Sequence, residues 1–267
     1  MINIVCAMHC EAKPIIDFYQ LKLDREAIYP VFRNETINLC VSGIGKLEMA
    51  SAISYLFARC DEVKNAAWLN VGIAGHTHHV IGSLLNINKV HDLNLDKNYY
   101  PGRVEKASGI ACELVSTDKP GNGYPLDAAI DMESSAFLAI VQRYTVLDLV
   151  QILKIVSDNS EEDIEAIDKA LVTKLVQNQI TEIDKLVSTL QEQQGVYSAI
   201  YEKPKLLESF LSQWRFTQYQ KNELNSVLAK AEALGVSVFE KDYAECKDSK
   251  AVLNLLQDKI KHMRIEF

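Results

Sequence analysis

Along the first 160 residues, short runs of β-branched and aliphatic side chains alternate with stretches whose apolar positions recur every three or four residues. Ile2–Val5, Ile37–Val41, Ala66–Val71 and Leu84–Val90 read as strands. Lys13 to Leu21, Lys46 to Cys60 and Glu133 to Tyr144 carry helical spacing. Leu149 to Val156 is apolar almost throughout, as expected of a strand buried on both faces. The alternation predicts an α/β domain around a largely parallel sheet. Ser160-Glu161-Glu162-Asp163 has the form of a capping box, and a long helix is expected behind it. Its stripe is Ile164, Ile167, Leu171, Leu175, Ile180, Ile183, Leu186 and Leu190, and Gln191–Gln194 followed by Gly195 should end it.

The pattern changes after about residue 195. Thr217-Gln218-Tyr219-Gln220 resembles a second capping box, ahead of a stripe through Leu224, Val227, Leu228, Ala231 and Leu234. Gly235 stands where a C-cap glycine belongs, and Ser249 is expected to cap a last helix with Val252, Leu255, Leu256 and Ile260. Residues 1–195 therefore read as the α/β domain and 196–267 as a mainly helical extension. The extension's stripe of Leu206, Leu207, Phe210, Leu211, Trp214 and Phe216 is too apolar for water. It is expected to pack on the α/β domain, a sister chain or another protein.

Composition narrows the function. The chain has 267 residues, 48% of them hydrophobic, enough for a sizeable core. Its formal net charge is −8, which argues against a general nucleic-acid partner. The six cysteines form no CxxC pair and lie scattered in apolar stretches, the usage of a reduced, cytoplasmic protein. No basic-then-apolar leader precedes the first strand, and no apolar run approaches the roughly 18 residues of a membrane span, so no membrane association is expected.

Four segments carry candidate chemistry. Cys6-Ala7-Met8-His9-Cys10-Glu11 puts a carboxylate just past the first strand, and Val41-Ser42-Gly43-Ile44-Gly45-Lys46 is a glycine turn between strand and helix. Asn70-Val71-Gly72-Ile73-Ala74-Gly75 reads as another glycine turn at a strand end. The fourth is a pair, Ile130-Asp131-Met132-Glu133 opening a helix and Ile155-Val156-Ser157-Asp158 closing the buried strand. In open α/β sheets, ligands bind outside the carboxyl ends of strands, where all of these fall. Glu11, Glu133 and Asp158 can therefore converge. Splitting an N-glycosidic bond needs such a set: an acid for the departing purine, a base for the attacking water, and a carboxylate on the ribose hydroxyls as positive charge builds on the sugar.

Together the segments resemble the 5′-methylthioadenosine/S-adenosylhomocysteine nucleosidases of the nucleoside phosphorylase superfamily, over about residues 1–190. The resemblance implies a three-layer sandwich around a mixed, largely parallel sheet, with the helical extension outside it. It implies Glu11 as the residue that activates water and Asp158 as the acid at purine N7. Met132 and Glu133 are implied at the ribose, and Ile44 and Gly45 on the turn that closes the ribose side. Ile73, Ala74, Gly75, Asp118 and Ser157 complete the implied substrate site. A homodimer is implied too, with Asn98-Tyr99-Tyr100-Pro101-Gly102 covering a partner's pocket.

The chain departs from the pattern at several points. Ile73 stands where a serine is usual, Lys154 where an arginine is common, and Pro120 near the place of the aromatic that stacks on the base, with Tyr124 a possible substitute. The segment between Asp118 and Asp131 is short. His76, His78 and His79 read as a polar turn rather than a metal site, His91-Asp92 reads as a hydrogen-bonded pair, and no cofactor is implied. The leading expectation is hydrolysis of a purine nucleoside such as 5′-methylthioadenosine, S-adenosylhomocysteine or 5′-deoxyadenosine. A phosphorylase is the alternative, disfavoured because Lys46 but no arginine lies near the glycine turns. A degenerate nucleoside- or partner-binding protein is the third reading.

Overall fold

A computed structural model describes residues 1–59, 66–104, 108–119, 127–160, 168–200 and 204–261. By its internal packing the chain divides into two units, Met1–Ser198 and Ala199–Phe267.

The first unit is built on β1 (Ile2–Cys6), α1 (His9–Tyr19), β2 (Lys22–Leu23), β3 (Val31–Arg33), β4 (Ile37–Val41), α2 (Lys46–Arg59), β5 (Ala67–His76), β6 (Leu84–Asp92) and β7 (Lys97–Tyr99). After these come β8 (Ile110–Ser116), β9 (Ala128–Asp131), α3 (Ser134–Val141), β10 (Val150–Asp158), α4 (Lys169–Asn178) and α5 (Ile180–Ile200). The sheet is mixed. β4, β1, β5 and β10 pair in parallel, while β6 runs antiparallel to β10 and β9 antiparallel to β5. Because β10 bonds both β5 and β6, pairing closes a ring through β5, β10, β6, β8 and β9, and β1, β4, β3 and β2 extend from it as an open arm.

Both faces of the interior strands are buried, so successive residues serve different cores. Ile4, Leu69, Leu153 and Ile155 pack with Ala12 and Ile15 of α1, Leu175 of α4 and Ile183 of α5. Val5, Trp68, Ile152 and Val156 pack with Met49 and Ile53 of α2 and Phe137 of α3 on the opposite face. A period-two strand with apolar residues at every position requires a helical layer on each side, and the result is three layers. Among the described residues, no helix is long and apolar enough to cross a membrane.

Several boundaries differ from the sequence expectation. Helix α1 begins at His9, not Lys13, and runs through Pro14. Pro14 has no N–H for the Cys10 carbonyl, and the Thr173 hydroxyl donates to that oxygen at 3.2 Å instead. β5 does not turn at its glycines. It continues to His76 because β10 and β9 pair with its two edges at Gly75, satisfying its backbone. The expected capping box at 160–163 falls largely outside the described residues, and α4 is capped by Asp168, whose carboxylate accepts from Leu171 N–H at 2.7 Å. The long stripe is broken at Gln179, and Gly195 does not end α5. His91 and Asp92 do not pair. His91 lies 3.1 Å from Asn98, while Asp92 accepts from Lys46, Ser135 and the Asn94 and Leu95 N–H groups.

The second unit holds α6 (Leu207–Gln213), α7 (Gln218–Ala233), α8 (Glu240–Tyr243) and α9 (Ser249–Lys261). Thr217 and Gln220 form the expected capping box, and Gly235 takes φ +66° just beyond α7. Helix α9 is capped by Asp248, which accepts from Ala251 N–H at 2.8 Å, with Ser249 its first residue. The apolar stripe expected to need an outside partner packs within the unit. Leu207 and Phe210 bury against Leu224, Val227, Leu228, Tyr243, Val252, Leu253 and Leu256, with Trp214 and Phe216 against the same cluster. The later helices supply enough facing apolar surface to cover it.

Candidate active site

Glu11 occupies the third position of α1. From there its Oε2 reaches back to accept the Met8 N–H at 2.8 Å, as glutamates at this position of a helix do. Its Oε1 accepts from Ile73 N–H of β5 at 2.9 Å. The carboxylate is thus pinned between the first helix and the central strand, only 2% exposed. Burial raises its pKa, opposed by Lys154 and the Ile73 N–H.

Glu133 stands at the N-cap of α3, which starts at Ser134. Its Oε1 accepts from Gly45 N–H at 2.7 Å, and Oε2 from Met132 N–H at 3.3 Å. Gly45 has φ +100° and Gly43 φ +94°, values that suit glycine, so the turn after β4 presents a backbone donor to the carboxylate. Burial pushes Glu133 up to about 7 and the charge of Asp131 adds to this, while Lys154 and the Gly45 N–H pull it back.

Lys154 lies between these carboxylates, on the strand whose residues are all buried. Its Nζ is 3.0 Å from Asp131 Oδ2. Asp131 also accepts from the Ser134 hydroxyl at 2.6 Å and the Ser134 N–H at 3.0 Å. Burial disfavours the ammonium, but Asp131, Glu133 and Glu11 outweigh it and hold its pKa above the ordinary range. Gly72 is what admits this cluster. A Cβ there would come within 2.9 Å of Glu11 Oε1 and 3.3 Å of Lys154 Nζ.

Asp158 ends β10 and is buried, with the Ser157 hydroxyl donating to its Oδ1. It is in register with Gly75 on β5, two residues beyond Ile73, which binds Glu11. That spacing is about 7 Å along the strand. Ala74 is buried between the two. Asp118 is 54% exposed at its side chain and pairs with Lys46 at 2.9 Å. Lys46 is held at the same distance by Asp92. Ile44 is exposed on its turn. Pro120 and Tyr124 lie outside the described residues.

Glu11 thus meets Ile73, and Glu133 meets Gly45 and Met132, through hydrogen bonds, whereas Asp118 is engaged at Lys46. The sequence reading assigned no role to Asp131 and noted Lys154 only as a replaced arginine. A signal was present: a lone lysine in a run apolar on both faces must find buried counter-charges. The arrangement provides a fixed base with a raised pKa, a carboxylate joined to a backbone donor, a buried cation between them, and a separate carboxyl at the next strand end.

No protein-family model matches the sequence, and no curated relative matches it. Solved structures do match in fold. The 5′-methylthioadenosine/S-adenosyl homocysteine nucleosidase of Campylobacter jejuni aligns with TM-score 0.56 at 16% identity, covering 69% of this chain and 96% of that one. The futalosine hydrolase of Helicobacter pylori aligns with TM-score 0.57 at 18% identity, over 70% and 97%. The 5′-methylthioadenosine nucleosidase of Arabidopsis thaliana aligns with TM-score 0.57 at 16% identity, over 71% and 95%. With its three layers, mixed sheet and strand-end carboxylates, the chain has the fold of the 5′-methylthioadenosine/S-adenosylhomocysteine nucleosidases.

Proposed function

We propose that the protein hydrolyses the N-glycosidic bond of a purine nucleoside, with 5′-methylthioadenosine, S-adenosylhomocysteine and 5′-deoxyadenosine as the substrate class. The observation that carries the reading is the buried set of Glu11, Glu133 and Lys154, with buried Asp158 at the end of the strand that carries Lys154. Glu11 takes a proton from the attacking water, and its raised pKa makes it a stronger base than a solvated carboxylate. Glu133 holds the ribose hydroxyls beside Met132, where its negative charge favours an oxocarbenium-like sugar. Asp158 delivers a proton to purine N7 as the base departs, assisted by Ser157.

Hydrolysis is favoured over phosphorolysis because the lysine beside Gly45 is already neutralised by Asp92 and Asp118, so it is not free to bind a phosphate. We further propose a homodimer in which the segment Asn98–Gly102 covers the partner's ribose pocket. Tyr99 is buried in its own chain, so exposed Tyr100 is the aromatic suited to that role. The free cysteines at 6, 10, 40, 112 and 246 fit a cytoplasmic setting.

The test is a panel of 5′-methylthioadenosine, S-adenosylhomocysteine, 5′-deoxyadenosine, futalosine and inosine, with and without phosphate, followed by release of free base. Phosphate-independent release from at least one is expected. Ribose 1-phosphate formed in proportion to base would reassign the reaction to phosphorolysis, and no release from any would leave a degenerate nucleoside- or partner-binding protein.

A further inference from the structure

The mechanism above uses Glu11, Glu133 and Asp158 and leaves one charged pair without a task. The side chains of Lys154 and Asp131 are 2% and 1% exposed and 3.0 Å apart. In every other ion pair among the described residues, at least one side chain is 18% exposed or more. A fully buried pair is a poor way to gain stability, because removing both charges from water offsets most of their attraction. Apolar residues of similar volume would hold β9 to β10 at least as well.

The pair is also fixed and directed. Asp131 ends β9, its own carbonyl accepts from Thr117 N–H at 2.8 Å, and its carboxylate is gripped by Ser134 at the start of α3. The anion therefore cannot follow the lysine; the lysine follows it. On the other side, Lys154 is in register with Gly72, and the bare Cα of Gly72 lets the Lys154 ammonium and Glu11 Oε1 lie around one point.

We propose that Asp131 is a positioning residue for glycosidic cleavage: it anchors the Lys154 ammonium beside Glu11, and through Lys154 sets the charge that faces the carboxylate that activates water. The proposal rests on the nucleosidase reading. The groups that face Lys154 are Asp131 from β9, Glu133 from the start of α3, Glu11 from α1 and Cys6 from β1. With Asp131 neutral, the ammonium is shared between Glu11 and Glu133 alone, and Glu133 loses a repelling neighbour. Both carboxyls then give up their protons at lower pH.

Asp131→Asn in the full chain tests this with 5′-methylthioadenosine. A charge misplaced beside the base should cost about 100-fold in kcat, and KM should stay within about threefold because Asp131 does not touch the ligand. The acid limb of the kcat profile should move to lower pH, and the Glu133 carboxyl, followed by 13C NMR, should titrate below its parental midpoint. Parental kcat with an unmoved limb overturns the proposal. So does a fall in kcat with both limb and midpoint unmoved, which would make Asp131 a structural residue only. Should Asp131→Asn fail to fold, Asp131→Glu keeps the charge but displaces the ammonium; about a tenfold loss of kcat is expected, and parental kcat overturns the proposal. If the parent protein cleaves no nucleoside, the nucleosidase reading fails, while the Glu133 midpoint still decides whether Asp131 acts on the site through Lys154.

Discussion

The two units of this chain solve the problem of an interior in opposite ways. Every buried polar or charged residue among the described ones lies in Met1–Ser198, including Glu11, Asp92, Asp131, Glu133, Lys154 and Asp158. The unit Ala199–Phe267 is held by an apolar cluster around Phe210, and none of its described charged residues is fully buried. Burying a charge costs free energy unless it is paired and hydrogen-bonded, so a protein gathers charges inside only where they serve something beyond folding. The helical unit needs only its aliphatic and aromatic side chains. The α/β unit carries a cluster that one strand register, two positive-φ glycines and one bare Cα hold together.

The sharpest way to break this contrast is to neutralise one buried charge. Glu11→Gln keeps the shape and one of the two acceptors for the Met8 and Ile73 N–H groups but cannot take a proton, so cleavage should fall by about 1000-fold with nucleoside binding retained. Steady-state kinetics and calorimetry on the same sample decide it, and a rate near the parental one removes Glu11 from the chemistry. Asp158→Asn should cost about 100-fold, since the purine must then leave without a transferred proton. Parental turnover of the best substrate would show that another group does this work. Gly72→Ala should reduce kcat about tenfold, because the new methyl would sit 2.9 Å from Glu11 Oε1 and something must move. A crystal structure with Glu11 and Lys154 undisturbed would contradict it.

The contrast also predicts different responses to pH. Glu133 is raised from 4.5 to about 7 in the folded protein, so the native state holds its proton longer than the unfolded chain. The sign follows: the contribution of Glu133 to the stability of the α/β unit is fully present below pH 4.5, and about 3 kcal/mol of it is lost as pH rises from there to 7. Denaturant melts of the parent and Glu133→Gln across that window should diverge by this amount, and parallel curves would refute the burial of an ionisable Glu133. The smallest effect on chemistry belongs to the helical unit. Phe210→Ala should destabilise that unit by about 3–5 kcal/mol and leave cleavage unchanged within twofold. Loss of cleavage in a variant whose α/β unit stays folded would end the functional contrast.

Much of this was legible along the chain. The strand ranges near Ile2, Ile37, Leu84 and Leu149, the helix at Lys46 and the Thr217 cap come from local periodicity and capping, which a few neighbouring residues decide. Glu11 and Glu133 were also legible as candidates, because each follows a strand closely. The errors fall where distant partners decide. Gly72 and Gly75 looked like a turn, yet β5 continues because β10 and β9 pair beside it. The Phe210 stripe looked partnerless until α7 and α9 met it.

The sequence by itself determined the alternation of elements, the apolar faces that force helices onto both sides of the sheet, and which carboxylates stand at strand ends. Only the tertiary structure decided that Asp131 and Lys154 form a buried pair, that Ile73 and Gly45 supply backbone donors to Glu11 and Glu133, and that Lys46 is occupied by Asp92 and Asp118. The physical reason is range. Periodicity and capping act over three or four residues, whereas Glu11 and Ile73 are 62 residues apart and Gly45 and Glu133 are 88 apart. Groups so distant acquire a defined geometry only when strand register brings them together, and register is a property of the whole sheet.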